Sequence, residues 1–160
     1  MLTDIIISKE RVMELLKGIP DPEIPVLSIL DLGIVRNVAL VGNRVNVSIT
    51  PTYSGCPAMH AIETEIKSVL DGNGLSVSID TVYAPAWTTD WISDDAKEKL
   101  RKYGIAPPSG HASGSAKKEI HCPRCNSAET ELVSLFGSTA CKSLYRCLTC
   151  REPFDYFKCH

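Results

Sequence analysis

Two cysteine pairs near the C-terminal end are the residues most ready to do chemistry: Cys122-Pro123-Arg124-Cys125 and Cys147-Leu148-Thr149-Cys150. A CxxC segment can fold as a tight knuckle that aims both sulfurs at one point. Two knuckles then supply four thiolates, a complete tetrahedral shell for zinc. The 21 residues between the pairs exceed the usual spacing slightly, but any loop that lets the knuckles face each other will serve. A closed shell of Cys122, Cys125, Cys147 and Cys150 leaves no open position for water or substrate. That speaks for a structural zinc module and against a zinc catalyst. A disulfide pair, a redox CxxC and an iron-sulfur site are the competing chemistries for the same pattern.

Seven cysteines are present, so Cys56, Cys141 and Cys159 lie outside the pairs. Cys56 stands between Gly55 and Pro57, at the expected start of a helix. Unpaired amides and the helix dipole at such a position favour a thiolate and are expected to lower its pKa. The sulfur could then bind a soft metal or an iron-sulfur cluster, or act as a nucleophile. The plainer alternative is a small apolar residue at a helix cap. Nucleophilic chemistry needs a base, and His60, one turn further on, is the candidate. Cys141, or Cys159 with His160, could reach the metal in place of a knuckle sulfur or stay spare, and spare is the expectation because paired knuckle sulfurs suit the metal better. No Cys-x-His with Cys-x-x-His pair is present for Rieske ligation.

Asp21 and Glu23 sit in the rigid run Pro20-Asp21-Pro22-Glu23-Ile24-Pro25. They offer either a fixed carboxylate edge for a metal or partner, or turn chemistry in which Asp21 caps local amides. Trp87 and Trp91 either mark a partner surface or cover the sheet, and burial is the expectation. A phosphate-binding glycine loop, a nucleophile elbow, an HExxH helix and a basic-aromatic stripe are all absent from the sequence.

A net charge of -2 gives no field toward nucleic acid or lipid. Residues 1–115 carry 10 Lys/Arg against 14 Asp/Glu and residues 116–160 carry 7 against 5, too small an asymmetry to imply a polyanion partner. The run Ile5-Ile6-Ile7 is too short for a signal peptide, and no stretch has transmembrane length. An odd cysteine count with metal-type spacing suits a reducing compartment, so the cytoplasm is expected.

The elements that must position these residues follow from periodicity. Val12, Leu15, Leu16 and Ile19 recur at helical spacing between Ser8 and Gly18. Ile34 to Val41 and Arg44 to Thr50 flank Gly42-Asn43 as a hairpin. Pro57 fits the first turn of a helix whose stripe is Met59, Ile62, Ile66, Val69 and Leu70. Leu75 to Tyr83 alternates as a strand, and Ser93 caps a charged helix from Asp94 to Tyr103. Residues 106–116 have linker composition. Beyond them, Glu131 to Phe136, Ser143 to Arg146 and Phe154 to Phe157 predict three short strands in a module small enough to need a metal staple.

Asp21-Pro22-Glu23-Ile24-Pro25, Asp31-Leu32-Gly33-Ile34-Val35, and Thr50-Pro51-Thr52 with Gly55-Cys56-Pro57 resemble the metal-sulfur cluster assembly domain of iron-sulfur maturation factors. The stretch from Pro85 to Ile92 narrows the resemblance, as do Phe136-Gly137-Ser138-Thr139-Ala140-Cys141-Lys142 and Pro153-Phe154-Asp155-Tyr156-Phe157. With them the chain is similar to the PaaD-like family of phenylacetate degradation. The resemblance implies an α+β fold: a small sheet of about three strands packed with helices, over residues 1–105, then the linker 106–116 and an all-β zinc ribbon over 117–160. It further implies a non-enzymatic accessory or maturation role beside the multicomponent phenylacetyl-CoA ring epoxidase. That enzyme's diiron oxygenase and iron-sulfur reductase components would be the partners. Cys56 would handle a transient iron-sulfur cluster, with Asp21, Glu23 and Thr52 near it and a homodimer or the client supplying further ligands. Cys122, Cys125, Cys147 and Cys150 would hold structural zinc. The runner-up implication is a non-catalytic interaction subunit of the oxygenase complex.

Overall fold

The computed structural model describes residues 7–109 and 119–158. Most of the expected linker, Cys159 and His160 lie outside the described residues. The chain divides into two compact units, Met1–Trp87 and Thr88–His160.

The first unit opens with α1 (Lys9–Lys17), whose N-terminus is capped as the sequence predicts: Ser8 Oγ accepts the Arg11 N–H at 3.2 Å. The hairpin follows as β1 (Val35–Val41) and β2 (Arg44–Ile49), antiparallel, with Gly42 at positive φ in the turn. Then come α2 (Ala58–Asp71) and β3 (Ser76–Thr81), which returns parallel to β2. The sheet order is β1-β2-β3. A parallel return needs a crossover, and α2 provides it.

Alternation decides which face of the sheet is buried. Val45, Val47 and Ile49 of β2 are at most 1% exposed, as are Val12 and Leu16 of α1 and Ile62, Ile66 and Leu70 of α2. On the opposite face Asn46 Nδ2 donates to Ser78 Oγ (3.0 Å) and Asp80 Oδ2 (2.8 Å) across the parallel pair. β3 is shorter than predicted, and Tyr83, expected on its apolar side, is 71% exposed. It lies beyond the last paired residue, Thr81, where the sheet no longer orients it.

Among its described residues the second unit contains a 3-10 turn (Thr89–Trp91), α3 (Asp94–Tyr103) and four strands. Ser93 Oγ accepts the Ala96 N–H, and Gly104 leaves α3 at φ 95°. The strands are β4 (Ile105–Ala106), β5 (Thr130–Ser134), β6 (Lys142–Cys147) and β7 (Pro153–Phe157), in the order β4-β7-β6-β5. The three ribbon strands fall where predicted. β4 has no signal in the sequence: Ile105 and Ala106 are buried and pair with Asp155 and Tyr156, although composition places Ala106 in the linker and α3 with the first domain. A two-residue strand has no period to detect, and its existence depends on β7 being there to pair with. The architecture is α+β, a three-stranded sheet with helices and a C-terminal strand-rich ribbon.

Candidate functional site

The four knuckle cysteines converge in the second unit, with all four Sγ atoms within 4.8 Å of one another. Cys122 and Cys150 sulfurs are 3.7 Å apart and Cys125 and Cys147 sulfurs 3.5 Å. Bonds of about 2.3 Å to a tetrahedral zinc place sulfurs about 3.8 Å from each other. The donor set and its spacing therefore fit zinc, and the sulfurs stand much too far apart for disulfides, which need about 2.05 Å.

Each knuckle is closed by its own backbone. Asn126 N–H returns to Cys122 O at 2.9 Å, while Cys150 N–H donates to Cys147 Sγ at 3.4 Å. The residue just after each second cysteine, Asn126 and Arg151, takes a left-handed backbone at φ 61° and 64°. That reversal turns the chain sharply just after the second cysteine. Cys122 and Cys147 are buried, and Cys125 and Cys150 are exposed. The backbone N–H of Cys150 and its neighbours hold the Cys147 thiol down to about 6. Cys150 is pushed up to about 12: its backbone contact with Glu152 favours ionisation, but local loss of water and the adjoining thiols outweigh it.

Cys141 does not join this centre. It is buried, with its sulfur 2.9 Å from Thr139 Oγ1. The loop it belongs to is held by Gly137 N–H to Lys142 O at 2.7 Å and by Ser138 Oγ to Asp155 Oδ2 at 2.7 Å.

In the first unit the loop before α2 presents Cys56. The Cys56 N–H donates to Tyr53 O at 3.2 Å, and Pro57 is the helix cap, one position earlier than predicted. The thiol is half-buried. Burial raises its pKa above the ordinary cysteine value. The Ala58 N–H opposes that rise, the Glu23 carboxylate adds to it, and the Thr52 and Tyr53 side chains oppose it by hydrogen bonding. The sequence-based expectation of a lowered pKa is therefore overturned. The amides at the head of α2 do favour the thiolate, but burial and a nearby carboxylate outweigh them.

The Thr52 side chain hydrogen-bonds the Cys56 thiol, and the Glu23 carboxylate acts on it through its charge. Asp21 is used differently: it is 6% exposed, and its Oδ1 accepts the N–H groups of Glu23 (2.9 Å) and Ile24 (2.8 Å). Tyr53 is a neighbour that the sequence does not single out, since nothing in Thr50-Pro51-Thr52-Tyr53-Ser54 marks one side chain as facing the sulfur. His60 is exposed and is not among the groups that act on the Cys56 thiol. Among the described residues the ribbon cysteines are the group of metal-ligating side chains close enough to share one ion, and Cys56 is not part of such a set. Trp87 is buried as expected, its Nε1 donating to Leu32 O at 2.7 Å, and Trp91 is half-buried. No helix among the described residues is long and apolar enough to cross a membrane.

Comparison with known proteins places both sites in named modules. The family described as PaaD zinc beta ribbon domain matches residues 106–158, and the one described as iron-sulfur cluster assembly protein matches residues 9–80. The chain is 55% identical over 151 residues to a protein of Escherichia coli K12 whose name makes it a component of 1,2-phenylacetyl-CoA epoxidase, covering 93% of this chain and 92% of that one. It is 31% identical over 105 residues to the "Fe-S protein maturation auxiliary factor" of Porphyromonas gingivalis, covering 62% of this chain and 97% of that one. A crystal structure of a domain of unknown function from Bacillus anthracis superimposes with a TM-score of 0.53 at 29% identity, covering 57% of this chain and 89% of that one.

Proposed function

The chain belongs to the PaaD family of phenylacetyl-CoA epoxidase components, and from that premise we propose that it is a non-catalytic maturation factor for such an epoxidase. Its work is to assist assembly or delivery of an iron-sulfur or iron cofactor to the oxygenase and reductase components, in the cytoplasm. The relatedness to an iron-sulfur maturation factor and to the assembly-domain family supports this reading.

The observation that carries it is the setting of Cys56. A half-buried thiol at the head of α2 has two side-chain hydrogen-bonding neighbours and a carboxylate acting on it, and among the described residues it lies outside any group of ligands able to close a shell on one ion. A cluster bound through so few protein atoms is released easily, whereas four cysteines from one chain would retain it. The remaining ligands come from a second copy or from the client. Cys122, Cys125, Cys147 and Cys150 hold zinc, which clamps the ribbon and takes no part in transfer.

The test is Cys56→Ala in a strain expressing the epoxidase components. The variant keeps its fold and its zinc, while the iron-sulfur content of the purified reductase falls. Reductase that is fully loaded in the mutant strain refutes the reading.

One observation favours a second reading, a structural subunit of the oxygenase complex. The β5 edge strand and the residues after it expose Leu132, Val133, Leu135 and Phe136 at 47–65%. Apolar side chains on an open sheet edge suit strand addition by a partner. A stable stoichiometric complex with the purified oxygenase by sedimentation supports that reading; transient contact supports the first.

A further inference from the structure

The four ribbon sulfurs are not equally placed. Cys122 is 1% exposed and Cys147 0%, and both belong to a core shared with Ala106, Phe154 and Tyr156. Cys125 and Cys150, the second cysteine of each knuckle, are exposed. The close sulfur contacts join these two classes across the knuckles: Cys125 to Cys147 at 3.5 Å and Cys150 to Cys122 at 3.7 Å. Each solvent-facing sulfur therefore has a core sulfur of the other knuckle against it. A thiolate is metal ligand and nucleophile at once, and which thiolate an oxidant reaches follows exposure.

We propose that the ribbon centre is also a site of oxidative modification: a hydroperoxide attacks Cys125 or Cys150, and the core sulfur opposite, Cys147 or Cys122, resolves the product into a cross-knuckle disulfide. In the first step the exposed thiolate forms an S–O bond as the peroxide O–O bond breaks and hydroxide leaves, giving a sulfenic acid. In the second the core thiolate attacks that sulfur, an S–S bond forms, the S–OH bond breaks and a second hydroxide leaves. Two protons from the buffer turn both hydroxides into water. The sulfur pair gives up two electrons and the peroxide takes them. Reaching a disulfide length of about 2.05 Å needs an approach of about 1.5 Å. The shell then has two thiolates fewer and releases its ion. The partners in these bridges stand 22 and 28 residues apart along the chain. Such bridges tie the two knuckles together as the metal did, whereas a bridge inside one CxxC closes a short loop and leaves them untied. The ribbon thus gives up zinc under peroxide without coming apart. This inference rests on the zinc assignment and not on the maturation role.

The experiment treats the full-length, zinc-loaded protein with hydrogen peroxide beside a chromophoric zinc chelator. Free thiols are then alkylated, and the chain is denatured and digested with trypsin without reduction. Cleavage after Lys118, Arg124, Lys142, Arg146 and Arg151 puts Cys122 and Cys125 in separate peptides and leaves Cys147 with Cys150 in one. Zinc is released, and the peptide 147–151 is found joined to both 119–124 and 125–142. Fragmentation assigns the bridges as Cys122 to Cys150 and Cys125 to Cys147. Dimedone present during the reaction labels Cys125 or Cys150. In limited proteolysis the oxidised, zinc-free ribbon is as resistant as the loaded one, while the reduced chain stripped by chelator is cut. Dithiothreitol with added zinc restores the loaded form. Retention of zinc under peroxide overturns the proposal. So do a 147–151 peptide closed on itself, a bridge to Cys141, dimedone on Cys122 or Cys147, or an oxidised ribbon cut as fast as the stripped one. No cluster or client enters the assay, so its failure leaves the maturation reading standing, and failure of that reading leaves this result standing.

Discussion

The left-handed residues that close the two zinc knuckles set up a measurable asymmetry. Asn126 and Arg151 occupy equivalent places at φ 61° and 64°. A Cβ in this region costs about 1–2 kcal/mol, with Asn tolerating it better because its short polar side chain bonds locally. Arg151→Gly removes the clash but gives the unfolded chain more freedom, which takes back about 0.5–1 kcal/mol. Arg151 is exposed, so little packing is lost. The balance is a gain of about 0.5–1 kcal/mol for Arg151→Gly and about zero for Asn126→Gly. Arg151→Val places a β-branched carbon in the same region and loses about 1–2 kcal/mol. Convergence of the four sulfurs and metal binding form one equilibrium, so these energies appear in the zinc affinity. A gain of about 0.5–1 kcal/mol is about a two- to fivefold tighter complex. Competition against a chromophoric chelator at fixed pH reads this directly, with denaturant unfolding of the zinc-loaded protein as the parallel measure. If Arg151→Gly holds zinc no tighter, or Arg151→Val holds it as well as the native chain, the account of the knuckle is wrong.

Three further outcomes are expected. The fold favours the neutral Cys56 thiol, so its contribution to stability is complete below the free-cysteine pKa of about 8.5 and fades as pH rises through the higher folded value; Cys56→Ala flattens that alkaline loss in denaturant series taken across pH. Trp87→Phe leaves the buried Leu32 carbonyl without the Nε1 donor and costs about 1–3 kcal/mol, read as a lower urea midpoint with an unchanged slope. An added Cβ at Gly137 collides with Asp155 Oδ1, so Gly137→Ala destabilises by about 1–3 kcal/mol, and adding Asp155→Ala costs less than the sum of the two singles in thermal melts.

The parts of this molecule that depend on local spacing were readable in the chain. CxxC places two sulfurs within one turn whatever surrounds them, so the ligand set needed no long-range information. Ser8, Ser93 and Gly104 cap their helices because capping is chemistry within three or four residues, and the Gly42-Asn43 turn fixes its hairpin for the same reason. The quantities that failed are sums over partners far apart in sequence. The Cys56 pKa is one: the local amides at the helix start point down, and burial with Glu23, 33 positions away, carries it up. β4 is another, two residues that become a strand only because β7 lies alongside. Asp21 belongs with the readable parts, since its turn chemistry reaches only two and three residues along the chain.

What the sequence by itself determined is therefore the inventory: four metal-ready thiols, a lone cysteine before a helix, a carboxylate turn and the elements that carry them. Only the tertiary structure decided which charges and hydroxyls face that lone sulfur and which proton state they favour. Electrostatic free energy depends on distance and burial, and neither quantity exists until the chain has folded.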